Sequence, residues 1–80
     1  MPYSLSDRVL LGLLAVEDRE LHGLLSAIER IESDPVGSCH AAAYDRRGRL
    51  VYAASIGRYW LYYWISRSGR VHFVEMAGDP

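Results

Sequence analysis

Apolar residues in the first half of the chain recur with the spacing of an α-helix. One face of a helix returns roughly every 3.6 residues, so two such runs predict two amphipathic helices. The residues that form the runs are Val9, Leu10, Leu13, Leu14, Leu21, Leu24, Leu25, Ile28 and Ile31. The polar stretch Glu17–Glu20 separates the runs, which favours a helical hairpin. One long bent helix is the alternative interpretation.

Residues with capping chemistry lie at the expected ends of these helices. Ser4 or Ser6 is placed to accept backbone hydrogen bonds at the start of the first helix, and Asp18 is the expected N-cap of the second. Asp34–Pro35 should end the second helix, because a proline restricts the residue before it and cannot continue the hydrogen-bond pattern. The helices are therefore expected over about residues 5–33.

Beyond Gly37 the period of the pattern changes to two, which is typical of β-strands. Turn-forming residues, several of them glycines, divide this half into four strand candidates. The candidates are residues 38–44, 49–56, 58–66 and 71–77. We therefore expect an α+β fold in one domain, residues 1–80. Its N-terminal helical hairpin packs on a three- to four-stranded antiparallel sheet over about residues 38–77.

The strand predicted over 58–66 carries aromatic residues on both faces, because successive side chains of a strand point to opposite sides. One face holds Trp60, Tyr62 and Trp64, and the other holds Tyr59, Leu61, Tyr63 and Ile65, of which two are aliphatic. The aliphatic face is expected to meet the helices, which leaves the tryptophans on an open face. An exposed aromatic face is a candidate contact surface. The inverted assignment is the alternative.

Charge divides between the two halves of the chain. Residues 1–40 contain three arginines and seven acids, a net charge of −4, whereas residues 41–80 contain six arginines and three acids, a net charge of +3. Eight of the nine aromatic residues also lie in the second half. A basic, aromatic half beside an acidic one indicates that one layer of the fold faces an anionic partner.

Several classes of protein are not expected. Apolar runs such as Val9–Leu11 and Val51–Ala54 are far shorter than the roughly 18 residues of a membrane span, and no secretory signal is visible. A single cysteine, Cys39, precludes an intramolecular disulfide and favours a cytoplasmic location. The histidines lack metal-ligand spacing, so no metal or other cofactor is expected. A domain of 80 residues has a small core, which a protein partner or a homodimer would stabilise.

The central strand carries the motif Gly57, Tyr59, Leu61 and Tyr63, followed by the turn and apolar strand Gly69–Val74. Together with two helices that end at Asp-Pro, this order resembles the RelE/ParE superfamily of toxins from type II toxin–antitoxin systems. The likeness covers residues 4–78. Two positions differ: the strand arginine of the family is replaced by Trp60, and its arginine after the last strand would fall at Asp79–Pro80.

The resemblance implies the αα-then-sheet fold and a cognate antitoxin that wraps the toxin. For the RelE branch it implies an endoribonuclease that inhibits translation by ribosome-dependent cleavage of mRNA, with basic and tyrosine side chains on the concave sheet. The ParE branch instead inhibits gyrase. A third alternative is a non-catalytic module that keeps the fold for protein binding or dimerisation.

The residues themselves indicate where RNA or a protein partner would bind. Arg46, Arg47, Arg49 and Arg58 are expected to gather at one end of the sheet and to bind phosphate. Three aromatic residues are expected to stack on unpaired bases: Tyr52, Trp60 and Tyr62. The alternative is that the arginines are solvated or pair with the acidic helices.

Cleavage of RNA by its own 2′-hydroxyl requires a base, an acid and stabilisation of charge on the phosphate. Arg58 and His72 are the candidates for these roles. No Gly-rich phosphate loop, carboxylate pair or Ser/His/Asp set accompanies them.

Overall fold

The computed structural model describes residues 3–78, which form two helices and five strands. The elements are β1 Tyr3–Leu5, α1 Asp7–Ala15, α2 Asp18–Ser33, β2 Ala41–Tyr44, β3 Leu50–Ile56, β4 Tyr59–Ile65 and β5 Val71–Gly78. The predicted α+β fold, with the helices before the sheet meander, is confirmed. None of the helices in the described range is long and apolar enough to cross a membrane.

The sheet has five strands in the order β1-β5-β4-β3-β2, one or two more than the pattern predicted. Strands β2 to β5 form an antiparallel meander, and β1 adds to β5 in parallel. The added strand pairs Tyr3 with Val71 and Leu5 with Phe73. Three residues are too few to show a period of two, and their partner strand lies more than sixty residues away along the chain. Leu5, near which the helical region was expected to begin, therefore belongs to a strand, and α1 begins at Asp7.

The first helix begins where its sequence predicted. Ser6 is the N-cap: its hydroxyl accepts a hydrogen bond from Val9 N at 3.3 Å and donates one to Val74 O at 2.9 Å. One side chain thus caps α1 and attaches it to β5.

The N-cap of the second helix lies one residue before the predicted N-cap. Glu17 occupies the N-cap without a side-chain hydrogen bond, and Asp18 is the first helical residue. The reason is that Val16 and Glu17 are both extended, which carries the chain from α1 directly into α2. Asp18 still places a negative charge at the helix N-terminus, where it is favourable. The predicted end is confirmed, since Asp34 is the C-cap and donates from its backbone N–H to Arg30 O.

Both helices cover the same face of the sheet, and the core lies between the helices and that face. Along β4, Leu61 and Tyr63 are fully buried on the helix-covered face, as predicted. On the other face, Trp60, Tyr62 and Trp64 are half-buried. We call this second face the open face. The rest of the buried apolar cluster comes from both layers: Val9, Leu13, Leu24, Ile28, Ile31, Ala54, Val71 and Phe73.

Tyr63 connects the core to the chain that follows α2. Its hydroxyl donates a 2.6 Å hydrogen bond to the carbonyl oxygen of Pro35, and its ring stacks on Tyr52 at 5.6 Å between centroids. Burial raises the pKa of the Tyr63 hydroxyl well above its ordinary value. The neutral hydroxyl therefore fixes the position of the loop that leads to β2.

Tyr63→Phe should destabilise the fold by about 0.5–1.5 kcal/mol, because it leaves the Pro35 carbonyl without its donor. The raised pKa means that the neutral hydroxyl contributes its stability below about pH 10 and loses it as pH rises further. The variant should therefore lose less stability than the parent between neutral pH and about pH 11. Urea unfolding at several pH values measures both effects. Tyr44→Phe, at an exposed tyrosine, is the control; identical curves for parent and Tyr63→Phe would contradict the assignment.

Candidate functional site

Two turns place five arginines at one end of the sheet. The β2–β3 turn (residues 45–49) and the β4–β5 turn (residues 66–70) lie at the same end, because alternate turns of a meander do so. Only one acid, Asp45, is present in these two turns, so together they carry a net charge of +4. We call this region the arginine end. Its cationic residues are Arg46, Arg47, Arg49, Arg67 and Arg70.

Asp45 holds the β2–β3 turn in shape. One carboxylate oxygen accepts hydrogen bonds from the backbone N–H groups of Arg49 and Arg47, each at 2.9 Å, and the other contacts Arg49 Nε at 3.2 Å. These N–H groups, that of Arg49 first, lower the pKa of the carboxyl. Gly48 completes the turn with a φ of +77°, a conformation that favours glycine. Both carboxylate oxygens of Asp45 are thus hydrogen-bonded within the turn.

Arg46 and Arg47 are exposed at the tip of the same turn. Within residues 3–78 neither side chain forms an ion pair or a side-chain hydrogen bond. Their guanidinium groups are therefore available to an anionic partner, and bidentate contacts to phosphate or carboxylate suit arginine.

A row of stacked side chains crosses the open face beside the arginine end. Arg49 lies over the ring of Trp64, with 4.5 Å from its guanidinium carbon to the ring centroid. His72 stacks on the same indole at 4.3 Å with an interplanar angle of 18°, and its Nδ1 lies 2.7 Å from Ser4 Oγ. Because β3 and β5 flank β4, Arg49 and His72 approach Trp64 from opposite sides. We call these four residues the stacked row.

The stacked row occupies the indole of Trp64 and leaves one ring nitrogen of His72 open to other contacts. Cation–π attraction and ring stacking hold Trp64 between its neighbours, so its indole is a support and not a free stacking surface. His72 uses one ring nitrogen with Ser4, which leaves Nε2 for other contacts. Neither Trp64 nor Ser4 was among the predicted site residues, because the row depends on a register that joins four strands.

Arg58 does not join the other arginines, which corrects the expectation that four would gather. It lies in the β3–β4 turn, at the opposite end of the sheet, because consecutive turns of a meander alternate between ends. Its guanidinium contacts both carboxylate oxygens of Glu20 on α2, at 3.0 and 3.2 Å. This pairing lowers the pKa of Glu20 and raises that of Arg58. The alternative interpretation, an ion pair with an acidic helix, describes Arg58. Arg67 and Arg70 take its place at the arginine end.

The three predicted stacking residues are divided between the two faces. Tyr52 is directly opposite Tyr63 and stacks on it, so it lies on the helix-covered face. Trp60 and Tyr62 lie on the open face as expected, with Trp60 edge-on to His40 at 6.4 Å. The expectation that Tyr52 would share their surface was wrong. It failed because residues 50–54 carry apolar or aromatic side chains on both faces of the strand, and only the pairing register decides between the faces.

The two catalytic candidates cannot act on one phosphate. His72 is opposite Trp64, and Arg58 precedes Trp64 by six residues, which along a strand is roughly 20 Å. His72 belongs to the arginine end, two residues from Arg70. In residues 3–78 no group of three or more His, Cys, Asp or Glu side chains could hold a metal. The arginine position that the family resemblance puts at Asp79–Pro80 lies outside the described residues.

A groove adjoins β2 on the open face. Its volume is about 340 Å³, and most of its lining side chains are small and apolar. The open-face residues that line it are Ala41, Ala43, Val51, Ala53 and Tyr62. All four residues of β2 are exposed. The open face therefore has two distinct regions, the stacked row with its cations and an apolar groove along the edge.

Comparison with known proteins identifies a relative in fold. No family model and no curated protein matches this sequence. Among solved structures, a chain in the crystal structure of the archaeal RelE–RelB complex from Pyrococcus horikoshii OT3 is similar, with a TM-score of 0.78 at 14% identity. The match covers 95% of this chain and 91% of that one. The chain therefore has a RelE-like fold.

Removing the two free arginines should weaken binding of single-stranded RNA and reduce its dependence on salt. Each lost phosphate contact lowers the slope of log K against log salt by about 0.7, so Arg46→Ala with Arg47→Ala should lower it by about 1.4. Fluorescence anisotropy of an oligouridylate over a salt series measures the slope. Arg19→Ala with Arg30→Ala, which removes the same charge from two exposed arginines of α2, is the control. An equal loss in both proteins would show that total charge, and not the arginine end, binds RNA.

Proposed function

We propose that this protein is the toxin of a type II toxin–antitoxin system of the RelE type and inhibits translation by cleaving mRNA on the ribosome. The observation that carries the proposal is the likeness in fold, with a TM-score of 0.78 over 95% of the chain, to a protein solved as a RelE–RelB complex. Its partners would be the ribosome, mRNA and a cognate antitoxin, and its location the cytoplasm.

The charge distribution supports an RNA substrate. The arginine end concentrates a charge of +4 in a protein whose net charge is −1. Such a concentration attracts a phosphate backbone while the acidic helices repel it from the other layer. Trp60 and Tyr62 lie on the same open face, where unpaired bases can stack on them.

His72 is the proposed catalytic residue, because it lies at the arginine end and, within residues 3–78, its Nε2 forms no hydrogen bond. When Nδ1–H donates to Ser4, Nε2 accepts the proton of the RNA 2′-hydroxyl, which then attacks the adjacent phosphate. Arg67 and Arg70 precede this position by five and two residues and would stabilise the charge that develops on the phosphate. Water would protonate the leaving 5′-oxygen.

A second candidate function is a non-catalytic module that binds protein through the same fold. Two observations favour it. The strand position that carries arginine in the RelE/ParE resemblance is Trp60 here, and within residues 3–78 His72 is hydrogen-bonded to no acidic side chain. Such a module would keep the open face as a contact surface and have no effect on RNA.

Induction in a bacterial host should arrest growth and create new transcript ends inside translated reading frames. His72→Ala should reduce cleavage about 100-fold or more, the usual contribution of an acid–base group. Arg58→Ala is the matched control, since it removes exposed contacts to Glu20 and Tyr59 at the far end of the sheet.

The other outcomes separate the alternatives. Growth arrest with intact messages and altered supercoiling would assign the ParE-type activity against gyrase. Normal growth would favour the non-catalytic module. Full cleavage by His72→Ala would place the chemistry elsewhere on the sheet.

A further inference from the structure

The edge strand β2 lacks the features that usually protect the edge of a sheet. Its sequence, Ala41–Tyr44, contains no charged residue and no proline, and every residue in it is exposed. In the described part of the chain it pairs only with β3. Most edge strands carry charge, proline or cover against pairing with another chain. An uncovered edge of alanines is a site at which a further strand can add.

The register identifies the backbone groups that a further strand would meet. Asp45 donates from its backbone N–H to Arg49 O, which makes these two a hydrogen-bonded pair. In an antiparallel ladder such pairs alternate with non-bonded ones, so Ala43 and Ala41 also bond to β3. The N–H and C=O groups of Ala42 and Tyr44 therefore point away from β3, toward the free edge.

The side chains beside this edge restrict what an added strand can carry. On the open face the groove of about 340 Å³ is lined by Ala41, Ala43 and their apolar neighbours, which leaves room for small aliphatic side chains. At its C-terminal end β2 leads directly to Arg46 and Arg47, the free cations of the arginine end. A complementary segment is thus aliphatic along the groove and acidic at the turn.

We propose that the free edge of β2 binds an extended segment of a protein partner as a sixth strand, with aliphatic residues in the groove and carboxylates on Arg46 and Arg47. A peptide supplies the backbone donors and acceptors that Ala42 and Tyr44 lack, whereas RNA would satisfy only the arginines. The inference deepens the proposed function, because the segment would belong to the antitoxin assigned there.

The test uses the whole protein and a synthetic alternating peptide, in which two glutamates are followed by valines that alternate with threonines. A second peptide has the same composition, with its two glutamates in the middle of a block of valines. Binding of the alternating peptide should slow hydrogen exchange at the Ala42 and Tyr44 amides, measured by NMR, because it converts open groups into ladder hydrogen bonds.

Ala42→Pro removes an outward N–H and none of the bonds to β3, so it should weaken binding of the alternating peptide about tenfold. Ala42→Ser keeps the N–H and should bind as the parent does. Hydrogen exchange in the parent protein decides the matter if the proline variant does not fold. The proposal fails if both peptides bind equally, if Ala42→Pro has no effect, or if exchange at the two amides is unchanged.

A parallel titration with oligouridylate separates a protein partner from a nucleic acid. RNA binding should depend on Arg46 and Arg47 and should be equal in Ala42→Pro and Ala42→Ser. Together with binding of the peptide, this result supports an edge of β2 that binds protein and not RNA. Protection of Ala42 and Tyr44 by RNA and not by peptide would overturn the proposal. These assays contain no ribosome, so their failure is distinct from failure of the toxicity test.

Discussion

The alternation of side chains along β4 separates the two faces of the sheet, and every surface described above depends on it. Leu61 and Tyr63 are fully buried beneath the helices, while Trp60, Tyr62 and Trp64 lie on the open face. A slip of one residue would exchange the two sets and place indoles against the helices. The hydroxyl of Tyr63 adds a second constraint, because its bond to Pro35 O anchors the loop that delivers β2 to the edge.

The order of strands in the meander also determines at which end of the sheet each arginine lies. Each turn falls at one end or the other, so the arginines of the β2–β3 and β4–β5 turns accumulate while Arg58 is carried to the far end. There Glu20 neutralises it, and the acidic helices provide no carboxylate to the arginine end. A chain with a net charge of −1 thereby presents a strongly positive region without excess positive charge overall.

Local pattern was sufficient wherever the determining contacts are local. Ser6 capped α1 and Asp34 ended α2, and the faces of β4 followed from a period of two with aliphatic residues on one side. Apart from the one-residue error in the N-cap of α2, the errors depend on distant pairing. The strand β1 forms only by pairing with β5, and the face on which Tyr52 lies is set by the register between β3 and β4. The end of the sheet at which Arg58 lies is set by the order and direction of the strands. A single sequence does not encode register in its periodicity, so these features became visible only in three dimensions.

The arginine end and the edge of β2 share one turn, so a protein partner on that edge would also reach the surface proposed to bind RNA. Arg46 and Arg47 follow β2 directly, so a strand that pairs with Tyr44 reaches them within one or two residues. Carboxylates on that strand would occupy the guanidinium groups that otherwise meet phosphate. Neutralisation would then need no movement of His72 or of the stacked row, because one rigid turn, held by Asp45, presents the same charges to either ligand. Competition for these two side chains is enough for each complex to weaken the other.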